Sequence, residues 1–194
     1  MKNGIYLIAF LVCLSSFGQK KKRVQPKAAT EIAKLDNLIA EVKNGNFQLT
    51  VTEKNKQVDA IIIKSVDKNF EATNGKLAVY LANGTKLYLL SWVEKTTTKT
   101  DLKTEDKTIL YSIVYEISEK KQVFSNFQTT NNSTEKVYLD KNKTASETQN
   151  KIRREGFEFV LNQDGTILQK SKNQENKWVY DASKKEYIEA KKKK

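Results

Sequence analysis

The chain has 194 residues, 38% of them hydrophobic and 30% charged, which suits one domain with a substantial core and differs from a disordered composition. Lys and Arg number 35 against 23 Asp and Glu, for a formal net charge of +12, and there is no His. The lack of His excludes Ser-His-Asp and Cys-His nucleophile systems and His-ligated metals, so an enzyme is less expected but not excluded.

A secretory signal peptide is predicted over residues 1–18. Lys2 supplies the positive start, and the apolar run 5–14 is too short to span a bilayer. The small residues Ser16 and Gly18 fit a cleavage site after Gly18. The alternative is a buried N-terminal element, which the basic residues that follow at once make hard to pack.

The composition favours a bacterial envelope as the setting of the mature protein. Cys13 lies inside the apolar run with no small residue before it, so we expect neither lipidation nor a disulfide. The end of the leader, Ser16-Phe17-Gly18-Gln19, resembles leaders of secreted Bacteroidota proteins. We therefore expect a periplasmic or secreted protein with no transmembrane segment in the mature chain.

Most of the positive charge lies at the two ends. Residues 20–27 carry five basic and no acidic side chains, and residues 184–194 carry a net +4. Residues 28–183 are close to neutral, with 23 basic and 21 acidic side chains. Because nucleic-acid-binding domains concentrate basic residues on one folded face, we expect no nucleic-acid partner.

This distribution divides the chain into a basic tail at 19–27, a single β-rich domain at 28–189 and a basic tail at 190–194. The tails are candidates for weak contact with an anionic surface, and the alternative is that they are solvated and aid solubility. The candidate residues are Lys20, Lys21, Lys22, Arg23, Lys191, Lys192, Lys193 and Lys194.

An amphipathic helix is predicted over residues 29–44. Its apolar residues recur at helical spacing, at Ile32, Leu35, Leu38, Ile39 and Val42. Glu31 fits the first turn, and Gly45 follows the last. We expect the apolar stripe to pack on the core, with a membrane-surface helix as the alternative.

Beyond the helix, the apolar period changes to two and predicts antiparallel strands. They lie at 47–51, 58–66, 77–82, 86–93, 108–117, 121–129, 136–139, 156–162, 166–171, 177–180 and 185–189. Asn83-Gly84 predicts a tight type I′ hairpin, and Asn162 to Gly165 predicts another turn. The polar stretches 95–107, 131–133 and 141–149 are expected to be loops, with a short helical turn possible over 146–154.

These elements predict a mainly β fold. We expect a single antiparallel, strongly curved sheet or partly open barrel, with the helix over one face or end and a β-sandwich as the alternative. The strand over 108–117 has two faces. One face carries Ile109, Tyr111, Ile113, Tyr115 and Ile117, and the other carries Leu110, Ser112, Val114 and Glu116.

No strong chemical motif is present. The sequence contains no phosphate loop, dinucleotide fingerprint, Cys-x-x-Cys pair or Gly-x-Ser-x-Gly elbow. The acidic stretches 101–106 and 162–166 lack calcium-loop spacing. We therefore assign no catalytic residue, metal or cofactor. Glu116, Glu155 and Glu158 are the carboxylates that a hydrolase would use.

The aromatic residues give a weak indication of a ligand site. Tyr88 and Trp92 share one strand face, and Tyr111 and Tyr115 share another. If the sheet closed, such faces would line an apolar or sugar-binding cavity. The alternative is that these residues are ordinary strand residues of high β-propensity.

Three functions remain open at this stage. The first is a non-enzymatic envelope module that binds an envelope protein or polymer, for example through an exposed edge strand. The second is a lipocalin-like carrier of a small apolar ligand, and the third is a carboxylate-dependent hydrolase.

Overall fold

The computed structural model describes residues 29–190, which form antiparallel β-sheets and, within this range, no helix. The predicted signal peptide 1–18, the tail 19–27 and the last four residues of the tail 190–194 lie outside the described residues. The strands are β1 (Thr30–Leu35), β2 (Leu38–Lys43), β3 (Asn46–Glu53), β4 (Lys56–Ser65), β5 (Ala72–Ala82), β6 (Thr85–Lys99), β7 (Lys103–Glu116), β8 (Lys121–Tyr138), β9 (Ser146–Gly156), β10 (Glu158–Leu161), β11 (Ile167–Lys170), β12 (Glu175–Asp181) and β13 (Glu186–Glu189).

The strands form three sheets in strict chain order. The N-terminal sheet has the order β1-β2-β3-β4, the central sheet β5-β6-β7-β8-β9, and the C-terminal sheet β10-β11-β12-β13. Every strand pair is antiparallel and joins neighbours in the sequence. Within the described range, no helix is long and apolar enough to cross a membrane.

Two hydrophobic cores hold the sheets together, one on each face of the central sheet. The first core joins the central to the N-terminal sheet, and its fully buried members include Leu49, Leu90 and Trp92. The second core joins the central to the C-terminal sheet through residues that include Val114 and Ile167. Strands β6 and β7 contribute alternate residues to the two cores, as the strand period of two requires.

The helix predicted over 29–44 is wrong, because this segment forms the hairpin of β1 and β2. Asp36 takes a positive φ of 52° in the turn, and Asn44-Gly45 forms the next turn with φ values of 52° and 76°. Leu38 and Ala40 alternate toward Phe47 and Leu49 of β3 and are fully buried. The apolar residues of this segment fit both the helical period of 3.6 and the strand period of two. Burial of their side chains against β3 favours the strands.

The mainly β, antiparallel prediction is confirmed, whereas the single sheet or barrel is not. The strands between residues 29 and 190 form three sheets, none of them closed into a barrel. Apolar faces are buried between sheets, as the β-sandwich alternative expected, but with three layers of strands rather than two. Strong curvature stays a prediction. Asn83 and Gly84 have φ values of 50° and 79°, which confirms the predicted hairpin.

Part of the central sheet extends beyond both cores. The last β5–β6 pair is Ala72 with Glu94, yet β6, β7, β8 and β9 stay paired beyond that point. We call residues 95–108 and 130–154 the projecting sheet. None of its residues is buried or belongs to either core. From Thr130 to Tyr138 it extends about 27 Å.

Several segments predicted to be loops form strands of the projecting sheet instead. Residues 95–107 continue β6 to Lys99 and start β7 at Lys103, and residues 131–133 lie within β8. Residues 146–154 are part of β9, not a helical turn. Threonine is common here, and its β-branched side chain favours extended backbone even where no core covers it.

Gly75 allows the N-terminal and central sheets to meet where β1 approaches β5. A Cβ atom at Gly75 would lie 2.5 Å from the carbonyl oxygen of Ile32 and closer still to its Cγ2. Because one of these atoms belongs to the backbone, a larger residue cannot be accommodated by side-chain rotation alone.

We expect Gly75→Ala to destabilise the protein by about 1–3 kcal/mol, as overpacking does in a tight contact. Thermal unfolding should show a melting temperature lower by roughly 2–10 °C. The matched control is Lys76→Ala at the exposed neighbouring position, which should melt close to wild type. Equal melting temperatures for the two variants would contradict the close approach of β1 and β5.

Candidate functional site

The aromatic residues proposed for ligand binding lie in the first core. Tyr88, Trp92 and Tyr115 are 8%, 1% and 2% exposed, and Tyr111 is half-buried. The Trp92 ring stacks on Tyr111, with centroids 4.7 Å apart, and meets Phe47 edge-on at 4.9 Å. These rings pack two sheets together, and their role in ligand binding stays a prediction.

A polar cluster closes the edge of this aromatic core. The indole Nε1 of Trp92 donates a 2.6 Å hydrogen bond to Glu94, and Lys64 forms a 2.5 Å ion pair with the same carboxylate oxygen. The Lys64 ammonium also lies 4.6 Å from the ring centre of Phe70 and 5.4 Å from that of Tyr111. Burial, together with the charge of Glu94, raises the pKa of Tyr111.

Sequence reasoning missed this cluster. Lys64 and Glu94 are 30 positions apart and lie in different sheets, so no spacing motif connects them. The only local signal is that Trp92 and Glu94 share a strand face, which is a common arrangement and not specific.

Two open grooves flank the connection between β4 and β5. One has a volume of about 270 Å³ and is lined by Ile32, Val42 and Phe70 among others. The other has about 290 Å³ and includes Lys64, Phe70 and Glu94. Both are open to solvent and smaller than the ~300 Å³ at which small-molecule pockets begin.

The carboxylate that the sequence singled out, Glu116, is 6% exposed and lies on the second-core side of β7. It accepts a 2.8 Å hydrogen bond from the Tyr180 hydroxyl. Burial, followed by this bond to a carboxylate, raises the pKa of Tyr180. A donor from the C-terminal sheet thus satisfies a buried acid on the central sheet.

Two of the three candidate carboxylates, Glu116 and Glu155, lie too far apart to form a hydrolase pair. Glu116 pairs with Lys121 and Glu155 with Thr129, positions that lie roughly 26 Å apart along β8. That exceeds the ~5–9.5 Å between the acids of glycosidases. Glu155 forms an exposed ion pair with Arg153, and Glu158 is exposed on β10.

A series of hydrogen bonds between tyrosine hydroxyls also crosses the second core. The Tyr187 hydroxyl donates to the carbonyl of Gly165 at 2.8 Å, so the Tyr80 hydroxyl, 2.8 Å away, donates to Tyr187. Burial is the main cause that raises the pKa of Tyr187 to about 12 and also raises the pKa of Tyr80. These hydroxyls fix the C-terminal sheet against the hairpin of β5 and β6.

Metal ligation gains no support within the described range, where no three acidic or Cys side chains cluster. Asp164 instead accepts hydrogen bonds from the backbone and hydroxyl of Thr166, which lower the pKa of its carboxyl group. Those bonds are typical of a turn.

The projecting sheet is a long surface without a buried residue. It carries ten basic and six acidic side chains, a net charge of +4, although residues 28–183 as a whole are near neutral. Its large apolar side chains Leu102, Leu139 and Ile152 are 43%, 62% and 69% exposed. A sheet with apolar side chains and no covering layer is typical of an interaction surface.

The far end of this sheet combines apolar and cationic groups. Leu102 and Leu139 lie near the ends of β7 and β8, and the Leu102 carbonyl accepts a hydrogen bond from the Lys136 backbone. The ammonium groups of Lys136 and Lys143 each lie 5.5 Å from the ring centre of Tyr138. We call Leu102, Lys136, Tyr138, Leu139 and Lys143 the tip.

Comparison with protein-family models, with curated proteins and with solved structures gives no match to this chain. The basic residues proposed for anionic contact, at 20–23 and 191–194, lie outside the described residues, so their role stays a prediction. The projecting sheet and its tip therefore stand as the candidate functional site on their geometry and charge.

The first core predicts a specific loss of stability at high pH. Tyr115 is 2% exposed, and this burial raises the pKa of its hydroxyl to about 12. Above pH 10 the unfolded chain loses this proton while the folded chain keeps it, so stability falls as the pH rises from 10 toward 12.

The quantity of interest is the free energy of unfolding of Tyr115→Phe minus that of wild type. We expect this difference to be about 1 kcal/mol more positive at pH 11 than at pH 7. Urea unfolding at both pH values measures it. The control, Val114→Ala, removes buried apolar volume at the next position and should lower stability by a similar amount at both. A pH-independent effect of Tyr115→Phe would show that burial does not raise the pKa of Tyr115 in the folded state.

Proposed function

We propose that this chain is an exported bacterial envelope protein that acts by binding, and that the projecting sheet and its tip bind an envelope protein or polymer. The observation that carries the proposal is the uncovered, net positive projecting sheet. An extension without a core costs conformational entropy, and a binding partner supplies the burial that the extension lacks. The leader predicted over 1–18 supports the periplasm or the extracellular medium as the location.

The charge of the projecting sheet favours a partner that presents acidic groups. Its net charge of +4 acts together with exposed apolar side chains at the tip. Exposed charges guide association and lose their effect as salt screens them beyond ~8–10 Å. The predicted contact of the two basic tails with an anionic surface acts in the same direction.

The other two hypotheses gain no specific support. A carrier of a small apolar ligand needs an enclosed cavity, whereas the grooves beside Phe70 are open and of about 270 and 290 Å³. A carboxylate-dependent hydrolase needs two facing acids, and Glu116 is instead bonded to Tyr180.

Cosedimentation with the protein's own envelope fraction tests the proposal. We expect wild-type protein to sediment with the envelope at low salt and to be released at high salt. The tip variant Leu102→Ser/Leu139→Ser should lose at least about ten-fold in apparent affinity, because hydrophobic contacts at the centre of an interface carry much of its energy. Envelope treated with protease beforehand distinguishes a protein partner from a polymer.

The matched control is Ile62→Ser/Leu81→Ser, which removes apolar side chains that are 61% and 64% exposed outside the projecting sheet. This control should sediment as wild type does. If wild type fails to sediment with either envelope preparation, or if both double variants lose binding equally, the projecting sheet is not the binding surface.

A further inference from the structure

β9 is unusual among the edge strands of the three sheets. It has 11 residues and pairs with β8 without any register shift. β10 and β13 have four residues each, and β1, β4 and β5 carry register shifts against their neighbours. Short or bulged edges discourage pairing with another chain, whereas a long regular edge invites it.

The outer edge of β9 is open along its length. β9 is the last strand of the central sheet, and all but one of its residues are exposed. It contains no Pro, since the single Pro of the chain is Pro26. Its unpaired backbone groups therefore present a template for one further antiparallel strand.

We infer that β9 pairs antiparallel with β9 of a second copy of this chain. The resulting dimer joins two projecting sheets into one continuous sheet. This inference goes beyond the proposed function and does not depend on it, because the dimer contact is made by the backbone edge of β9, whether or not the exposed faces and the tip of the projecting sheet bind an envelope partner.

Charge selects the register of this pairing. In an antiparallel pair, the backbone N–H and C=O groups of two opposed residues either both point toward the partner strand or both point away from it. A two-fold axis between identical strands therefore passes midway between two copies of the same residue, and that residue names the register. With the axis at Asn150, Glu147 of each copy lies opposite Arg153 of the other. Thr148 then faces Ile152, and no like charges lie directly opposite each other.

Registers shifted toward the C-terminal end of β9 oppose like charges. An axis at Lys151 places Lys151 opposite itself and Glu147 opposite Glu155. An axis at Ile152 places Lys151 opposite Arg153. Like charges that face each other across strands are destabilising, so these registers are less favourable.

A shift in the other direction shortens the interface. An axis at Gln149 pairs only residues 146–152 of β9 with their counterparts, whereas the axis at Asn150 pairs residues 146–154. Each lost pair removes backbone hydrogen bonds between the two copies. The Asn150 register therefore gives the longest pairing that is free of opposed like charges.

Charge reversal tests the pairing on the chain from Gln19 to Lys194, which retains every described residue and contains no Cys. Sedimentation velocity over a concentration series up to roughly 500 µM covers the weak association expected of a small interface. Glu147→Arg and Arg153→Glu should each raise the dimer Kd about ten-fold or more, because each places like charges opposite each other twice.

The double variant Glu147→Arg/Arg153→Glu restores both opposite-charge pairs and should dimerise as wild type does. An equimolar mixture of the two single variants should form a heterodimer for the same reason. Both residues are exposed, so the substitutions leave the fold intact, which circular dichroism checks. A wild-type monomer at every concentration, or a double variant no better than the single ones, overturns the inference.

A cysteine cross-link tests the register independently. Asn150→Cys places two thiols directly opposite each other, at the Cα separation of ~4.5–5.5 Å that a disulfide allows. Under mild oxidation it should form a covalent dimer much faster than Lys151→Cys, whose thiols lie two positions apart along the strands. Equal cross-linking of the two variants contradicts the Asn150 axis. Dimerisation and envelope binding by the tip variant are measured separately. A negative result for one proposal therefore leaves the other unaffected.

Discussion

The structure depends on the burial of β6 and β7 on both faces. Leu90 and Trp92 point into the first core, whereas Leu87 and Val114 point into the second, and all four are at most 1% exposed. Antiparallel sheets commonly leave one face to solvent, but this hairpin is covered by a sheet on each side. The N-terminal and C-terminal sheets are thereby fixed through the central one. The polar contacts at Glu94 and Glu116 satisfy groups at the margins of these two cores.

Most strands could be predicted from the sequence, because the alternation of apolar residues and the choice of turn residues are local patterns. Asn83-Gly84 predicts its hairpin turn correctly, and alternation separates the two faces of β7 as the two cores do. Asn44-Gly45 carries the same dipeptide, but the apolar spacing around it fits a helix equally well. Only burial against β3 resolves that ambiguity, and burial is a tertiary property. The Lys64–Glu94 pair depends on contact between sheets and has no sequence signal.

The projecting sheet shows why polarity alone fails to separate strands from loops. Residues 95–108 contribute nothing to either core, yet they extend β6 and β7. Their order comes from backbone pairing that continues from the buried hairpin, and from threonines that favour extended backbone. Each added pair contributes little to stability without burial, so we expect this part of the sheet to open more readily than the two cores. Such regions are where proteins commonly carry binding surfaces.

The strict chain order of the strands has a consequence for folding. Each strand pairs only with its neighbours in the sequence, so each sheet forms from one continuous stretch of chain. Contacts between nearby segments close small loops and form early. A chain that emerges from its N-terminus therefore completes the first core before β10 to β13 appear. Until then Leu87, Val114 and Phe124 of the second core stay uncovered, and apolar surface of this kind on an unfinished chain favours aggregation.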